Sequence, residues 1–128
     1  MKVGIIGCGN ISPTYFNSQK FYNNFKIISC ADINNEVAIK SAQEFNIMSQ
    51  TVDEILNNPD VDLILNLTIP SAHKEIIMKT ISSGKHSFSE KPLAMSFEEG
   101  KEIKKLSAEK NLLVGCAPDT FLGAAGQA

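Results

Sequence analysis

The sequence of 128 residues lacks several features that mark whole classes of protein. It has no apolar stretch long enough to cross a bilayer, and no basic segment followed by an apolar one precedes its first strand signal. Its 12 basic and 14 acidic residues leave a net charge of −2, without the basic patch that is typical of nucleic-acid binding. We therefore expect a cytoplasmic protein with no membrane partner and no nucleic-acid partner.

Cysteine and metal-ligand patterns are equally sparse. The three cysteines form an odd set with no C-x-x-C spacing, and each lies at or beside the end of a predicted strand: Cys8, Cys30 and Cys116. Such a pattern predicts buried, reduced thiols, which are typical of the cytosol. Metal-ligating residue types do not cluster, and no serine or cysteine has the sequence context of an activated nucleophile. We therefore expect no metal site.

What the sequence does contain is a regular alternation of strand and helix signals. Runs typical of strands cover residues 3–6, 25–31, 47–48, 61–67, 85–89 and 112–116. Six strands that alternate with helices predict parallel pairing through right-handed crossovers. The expected result is a doubly wound Rossmann sheet of order 3-2-1-4-5-6 in a three-layer αβα domain. The near-continuous apolar content of residues 61–67 predicts a fourth strand that is buried on both faces.

Two helix starts carry the capping-box pattern, in which a hydroxyl and a carboxylate three residues later satisfy each other's backbone N–H groups. These pairs are Thr51 with Glu54 and Ser96 with Glu99. Gly84 is expected to end the fourth helix, because glycine adopts the left-handed conformation without strain.

The turn after the first strand is the most informative segment. Gly7 and Gly9 end the apolar run and Asn10 and Ile11 lead into a helix, with Ser12 in the place of the third glycine of G-x-G-x-x-G. A strand, a glycine turn and a helix start in this order point backbone N–H groups at a pyrophosphate. The first four of these residues are therefore predicted to bind a dinucleotide.

Asp32 indicates which dinucleotide. It lies 23 residues beyond Gly9, at the end of the second strand, where a carboxylate accepts hydrogen bonds from the ribose hydroxyls of an adenosine. The same carboxylate repels a 2′-phosphate, and no lysine or arginine occupies positions 33–35. The prediction is NAD, with NADP disfavoured. The alternative role of Asp32 as a helix cap does not account for this spacing.

The carboxyl ends of the fourth and fifth strands supply the other candidates, because ligands of open α/β sheets bind at that edge. Thr68, Pro70 and His73 follow the fourth strand, and Glu90 and Lys91 follow the fifth. We predict that all five bind the cofactor, and that the lysine is also catalytic, with its ammonium near the nicotinamide or a substrate hydroxyl. Two plainer interpretations stay open: the histidine as a surface or capping residue, and the glutamate and lysine as a solvent-facing pair.

Together these residues resemble one family. The segments that carry the resemblance are GCGNIS at 7–12, AD at 31–32, TIP at 68–70 with His73, EKP at 90–92 and APDTFLG at 117–123. The sequence is similar to the glucose–fructose oxidoreductase, inositol dehydrogenase and rhizopine-catabolism (Gfo/Idh/MocA) family. The resemblance covers essentially the whole chain, and EKP after the fifth strand is its most specific part.

The resemblance implies an NAD(P)-dependent dehydrogenase or reductase of sugars, polyols or related hydroxy compounds. It implies a Rossmann domain over residues 1–117, with residues 118–128 starting the connection to a substrate-binding α/β domain that is missing here. In the family that domain supplies acid/base residues and the oligomer interface, so we expect a homo-oligomer and a chain inactive alone. Lys91 matches the family's nicotinamide-side lysine.

Two other interpretations remain open. One is a stand-alone NAD-binding regulatory module without catalysis. The other is a different reductase with the same fold, such as one acting on biliverdin or dihydrodipicolinate.

Overall fold

The computed structural model describes residues 1–117, and the expected connection over residues 118–128 lies outside the described residues. The strands are β1 (Lys2–Ile6), β2 (Lys26–Ala31), β3 (Met48–Ser49), β4 (Leu63–Asn66), β5 (His86–Ser89) and β6 (Val114–Cys116). The helices are α1 (Ser12–Ser18), α2 (Asn35–Phe45), α3 (Val52–Asn57), α4 (Pro70–Ser82) and α5 (Phe97–Lys110). Within the described residues, no helix combines the length with the apolar character needed to cross a membrane.

The sheet has the order β3-β2-β1-β4-β5-β6, and all its neighbouring pairs are parallel. Helices α1 and α2 pack on one face through a core that includes Phe16, Ile27 and Ala38. Helices α3 and α4 pack on the other face through Ile55 and Ile76, and α4 and α5 share a third cluster. The predicted doubly wound Rossmann fold with three layers is confirmed.

The prediction that the fourth strand is buried on both faces is wrong. In β4 the side chains of Ile64 and Asn66 are buried, whereas Leu63 and Leu65 are only half-buried. Strand β5 alternates in the same way, with Phe88 half-buried. Among residues 1–117, α1 and α2 lie over β1 and β2, and this face of β4 and β5 lines an open cavity instead.

The two helix starts that carry the capping-box pattern differ in outcome. Thr51 forms the predicted capping box, because its hydroxyl accepts from the N–H of Glu54 at 3.2 Å and its own N–H donates to that carboxylate at 2.8 Å. At α5 only half of the box forms. The Ser96 hydroxyl accepts from the N–H of Glu99, but the Glu99 carboxylate takes the N–H of Met95, one residue further back.

The predicted left-handed Gly84 is present, with φ of +80°. Two predicted strands were too wide, since β4 and β6 are shorter than their apolar runs. Beyond the ends of these two strands, Val61, Leu67 and Leu112 still pack on the core, whereas Leu113 is largely exposed.

Candidate functional site

The turn between β1 and α1 requires glycine at its first position. Gly7 has φ of +102°, and a Cβ built there would lie 2.6 Å from the backbone carbon and oxygen of Leu67. This turn therefore presses against the carboxyl end of β4, and a side chain would separate the two segments. At Gly9, by contrast, a Cβ would meet no atom within 4 Å. The second glycine leaves open space, which is what a closely approaching ligand needs.

Some backbone N–H groups of this turn donate hydrogen bonds within the protein, and others have no acceptor among residues 1–117. The N–H of Gly7 donates to the carbonyl of Ala31 at 2.9 Å, which continues the sheet pairing. Within residues 1–117, no acceptor contacts the N–H groups of Gly9, Asn10 or Ile11. The next residue, buried Ser12, donates its hydroxyl to the Gly9 carbonyl at 2.8 Å, which closes the turn without a third glycine.

Asp32 is anchored to this turn. One carboxylate oxygen accepts from the N–H of Cys8 at 2.8 Å, and the other accepts from the N–H of Asn34 at 2.9 Å. Each carboxylate oxygen can accept more than one hydrogen bond, so capacity remains for a diol. The two backbone donors hold the carboxylate at the mouth of the turn. Asp32 is not the cap of α2, because the N-cap of that helix is Asn34. Its contact with the Asn34 N–H leaves room for the predicted role toward a ribose.

Asp32 lines a cavity of about 520 Å³, which we call the narrow cavity. Its lining includes Gly7, Gly9, Asp32, Ile33, Thr68, Ile69, Asp53, Glu75 and Lys79. Ile33 and Ile69 line this cavity, and their side chains are largely exposed. The lysine in this lining is paired with Glu75 at 2.6 Å.

A wider cavity of about 1000 Å³, which we call the wide cavity, lies along the half-buried face of β4 and β5. Its lining includes Ile11, Tyr15, Leu65, Thr68, Pro70, Phe88, Glu90 and Lys91. Thr68 lines both cavities, so the two adjoin at the carboxyl end of β4. We call these two adjoining cavities, which extend from Asp32 to Lys91, the crevice.

The loop between β4 and α4 is held by a buried amide. The side-chain oxygen of Asn66 accepts from the hydroxyl of Thr68 at 2.7 Å and from its N–H at 3.2 Å. The amide nitrogen of Asn66 donates to the carbonyl of His73 at 3.2 Å. Pro70 occupies the first turn of α4, where its missing N–H costs nothing.

His73 lies behind this loop and lines neither cavity. It is 1% exposed, in contrast to the interpretation of a surface histidine. Its Nδ1 lies 2.6 Å from the carbonyl oxygen of Pro92 and its Nε2 lies 2.9 Å from that of Thr68. The ring therefore bridges two loops, and both its nitrogens are occupied by protein atoms.

The turn after β5 presents one carboxylate and one ammonium. The peptide between Lys91 and Pro92 is cis. Glu90 accepts from the hydroxyl of Tyr15 at 2.6 Å, and its other oxygen accepts from the N–H of Lys91 at 3.2 Å. The Lys91 side chain is exposed, and among residues 1–117 no carboxylate lies within ion-pair distance of its ammonium.

The family model described as "Oxidoreductase family, NAD-binding Rossmann fold" (Gfo/Idh/MocA) matches residues 1–117. The chain belongs to this family. The matched residues form its NAD-binding Rossmann domain, and the resemblance inferred from the sequence motifs is confirmed.

Among its relatives, an uncharacterized protein of Saccharomyces cerevisiae is 33% identical over 126 residues, or 91% of this chain and 35% of that protein. The inositol 2-dehydrogenase/D-chiro-inositol 3-dehydrogenase of Lacticaseibacillus casei is 26% identical, over 88% of this chain and 34% of the enzyme. The structure of biliverdin reductase from Synechocystis, in complex with biliverdin and NADP+, superposes with a TM-score of 0.89 at 28% identity. That match covers 98% of this chain and 40% of the reductase. The chain spans about a third of the length of the curated relatives it matches.

Two residues of this NAD-binding domain were missed by sequence reasoning. Tyr15 holds the Glu90 carboxylate, and Asn66 holds the Thr68 loop. Asn66 carried a signal, since it is a polar residue at the end of an otherwise apolar strand. The partner of Tyr15 is 75 residues away, so no local pattern pointed to it.

The thiols of the family domain are free. A hydrogen bond with Cys8 and burial raise the pKa of the Cys30 thiol, and burial together with Glu90 raises the pKa of Cys116. Both thiols are thus protonated at neutral pH and are poor nucleophiles. In the part of the chain that the structure describes, no three His, Cys, Asp or Glu side chains come together as a metal site.

Proposed function

We propose that this chain binds the dinucleotide of an oxidoreductase that moves hydride between a nicotinamide and a sugar, a polyol or a related hydroxy compound. The observation that carries the proposal is the glycine turn with its available N–H groups, next to an anchored Asp32 carboxylate. Both lie at the carboxyl edge of the sheet, where ligands of this fold bind. The dinucleotide, when bound, supplies the carbon that accepts or donates hydride.

Each part of the crevice fits one part of the dinucleotide. The N–H groups of Gly9, Asn10 and Ile11 face a pyrophosphate, whose charge they stabilise as hydrogen-bond donors. Asp32 would accept hydrogen bonds from the adenosine ribose, and the apolar side chains of Ile33 and Ile69, which line the narrow cavity, would hold the adenine. Thr68 and Pro70 line the wide cavity together with Glu90 and Lys91, which would hold the nicotinamide end.

NAD is the proposed cofactor, in preference to NADP. A 2′-phosphate would meet the Asp32 carboxylate, and positions 33–35 hold Ile, Asn and Asn. The ammonium of Lys79 in the narrow cavity is already paired with Glu75. A phosphate there would lack the cation that NADP sites provide.

Lys91 is the proposed catalytic residue of this chain. Its exposed ammonium carries three donors and lies at the wide cavity, where it would donate a hydrogen bond to an oxygen on the reacting carbon of a bound substrate. A positive charge at that oxygen would stabilise the alkoxide that forms when the substrate hydroxyl gives its proton to a base of the second domain, before hydride leaves and the carbonyl forms. In the reverse direction it would polarise the carbonyl that receives hydride. Glu90, held by Tyr15, keeps the lysine backbone in place through its contact with the Lys91 N–H.

The remaining proposals concern the longer protein. We propose that residues 118–128 lead to a substrate-binding domain that also forms a homo-oligomer, and that the protein acts in the cytoplasm. The relatives' greater length supports the second domain, as does the half-buried face of β4 and β5. The free thiols support a reducing compartment. A sugar or polyol substrate is supported by the inositol dehydrogenase relative.

The cofactor proposal is tested by titration calorimetry of the chain with NADH and NADPH. We expect NADH to bind at least about tenfold more tightly, since one hydrogen bond to a charged group contributes about 1.5–3 kcal/mol. Asp32→Ser should weaken NADH binding and remove this preference. Asp60→Ser is the matched control, because that carboxylate pairs with Lys2 away from both cavities. Equal binding of the two cofactors, or an unchanged ratio in the Asp32 variant, would contradict the assignment.

The proposal that catalysis needs a second, substrate-binding domain is tested by assaying this chain with NAD and a panel of inositols and sugars. We expect no turnover, because one wall of a reaction site does not position the substrate, an effect worth roughly 7–11 kcal/mol of barrier. NADH binding in the same sample shows that the protein is competent. Robust NAD reduction would instead mean that the chain carries a complete active site.

A further inference from the structure

The wide cavity separates two parts of the domain that the proposed function uses together. On one side lie Ile11, at the end of the glycine turn, and the helix α1 that follows it. On the other side lies the turn after β5, which carries Lys91. A nicotinamide bound between these two sides would contact both, so its affinity would depend on the spacing between them.

Helix α1 is anchored to the core and to the glycine turn. Phe16 is buried and stacks on Phe45 of α2, with ring centroids 4.4 Å apart. At the start of α1, the hydroxyl of buried Ser12 donates to the Gly9 carbonyl at 2.8 Å. Tyr15 precedes Phe16 and lines the wide cavity. Its side chain therefore extends into this cavity from a helix that is held in place at both the core and the turn.

The turn after β5 is held by hydrogen bonds of Glu90. The N–H of Glu90 donates to the Asn66 carbonyl at 3.0 Å, and the Ser89 hydroxyl donates to the Glu90 carbonyl at 3.0 Å. The N–H of the next residue, Lys91, donates to the carboxylate of Glu90 at 3.2 Å. The position of the Lys91 backbone therefore depends on the direction in which the Glu90 side chain points.

Tyr15 fixes that direction. Its hydroxyl donates to one oxygen of the Glu90 carboxylate at 2.6 Å, and the other oxygen accepts from the Lys91 N–H. Hydrogen bonds to a carboxylate are short and about twice as strong as those between neutral groups. The two side chains are 75 positions apart in sequence, so this bond joins α1 to the turn after β5. Without it, the carboxylate could rotate toward water and the Lys91 N–H would lose its acceptor.

We propose that Tyr15 is a positioning residue that acts through Glu90. It holds the Lys91 turn toward α1 and so strengthens binding of the nicotinamide half of a dinucleotide. The adenosine half does not depend on it, because the lining of the narrow cavity does not include Tyr15. Since the dinucleotide site is itself proposed, this role rests on the proposed function.

The first test compares NADH with ADP-ribose, which has the adenosine, the pyrophosphate and a second ribose but no nicotinamide. Tyr15→Phe removes only the hydroxyl oxygen. In titration calorimetry we expect this variant to bind NADH roughly threefold to tenfold more weakly than wild type, the size of one net hydrogen bond. ADP-ribose should bind to both proteins equally well. An equal loss for the two ligands would indicate a general disturbance of the domain, and it would overturn the positioning role.

The matched control for this variant is Tyr22→Phe, which makes the same chemical change in the same cavity. Tyr22 is 58% exposed and stacks on Phe25, just before the amino end of β2, with ring centroids 6.1 Å apart. It therefore lies away from the turn that carries Lys91. We expect Tyr22→Phe to bind both ligands as wild type does. If it loses as much NADH affinity as Tyr15→Phe, the contact with Glu90 is not the cause and the proposal is wrong.

The second test decides whether Tyr15 acts through Glu90 or contacts the cofactor itself. Glu90→Gln keeps the shape of the side chain but has one acceptor oxygen in place of two, so it breaks the path from the Tyr15 hydroxyl to the Lys91 N–H. In this background, or in Glu90→Ala if the first does not fold, Tyr15→Phe should not weaken NADH binding further. Additive losses in this double-mutant cycle would mean that the tyrosine acts independently of Glu90, and they would overturn the proposal.

The wild-type titrations separate this role from the proposed function. If wild type binds neither NADH nor ADP-ribose, the proposed function and the role of Tyr15 fail together. If wild type binds both ligands and Tyr15→Phe behaves in the same way, only the role of Tyr15 fails.

Discussion

The two halves of the sheet bury their strands to different extents. In β1 and β2, Ile5 and Ile27 are fully buried under α1 and α2. In β4 and β5, the side chains that point to the same face, Leu65 and Phe88, are half-buried and line the wide cavity. The first half completes its own core and carries the glycine turn, which is the proposed pyrophosphate site. The second half leaves an apolar face on the wide cavity, beside the proposed nicotinamide site.

The largest expected effect lies where the halves meet. Gly7→Ala should lower the free energy of unfolding by about 3–5 kcal/mol, because a positive φ and a backbone clash with Leu67 add together. Gly9→Ala is the matched control and should change stability by less than about 1 kcal/mol, since its Cβ enters open space. Urea unfolding measures both. Equal losses would mean that the turn does not press on β4 as described.

The stability lost on truncating one phenylalanine in each half of the sheet domain compares the burial of the two halves directly. Phe16 is 1% exposed and stacks on Phe45 with ring centroids 4.4 Å apart. Phe16→Ala should therefore cost about 3–5 kcal/mol of unfolding free energy. Phe88→Ala should cost no more than about 2 kcal/mol, because part of that side chain is already in water. If urea unfolding gives equal losses, the open face of β5 is covered in solution.

The two capping sites give a smaller contrast. Thr51→Ala removes one half of a reciprocal box and should cost about 1–2 kcal/mol. Ser96→Ala removes a single acceptor and should cost about 0.5–1 kcal/mol, since Glu99 keeps its contact with the Met95 N–H. Thermal or urea unfolding of both variants checks the order. A reversed order would show that the reciprocal carboxylate adds nothing at α3.

The smallest effect is a pH dependence at the Thr51 box. Hydrogen bonds from the Thr51 N–H and hydroxyl hold the pKa of Glu54 below its ordinary 4.5. Because the folded-state pKa is the lower one, this contribution to stability is present above pH 4.5 and is lost as the pH falls through the folded value. Glu54→Gln should therefore lose less stability than wild type between about pH 5.5 and 3. If urea unfolding shows the same fall in unfolding free energy with pH for wild type and Glu54→Gln, then the hydrogen bonds of Glu54 do not contribute to stability.

Much of the fold could be predicted because its signals are local. The Thr51 box and the left-handed Gly84 depend on atoms within a few residues, and both form as the sequence pattern indicates. The Ser96 box failed because the Glu99 carboxylate had a second N–H donor within the same reach. Burial of β4 failed because apolar content does not say which face a helix covers.

The candidate site divides in the same way. The sequence by itself determined the strand–turn–helix order, the glycine at Gly7 and a carboxylate at the end of β2, since periodicity and backbone conformation are encoded locally. Tertiary structure alone decided that Asp32 is anchored by Cys8, that Tyr15 holds Glu90 and that His73 bridges Thr68 and Pro92. Those partners meet because parallel strands bring their carboxyl ends to one edge, and distances across that edge are set by packing rather than by sequence spacing.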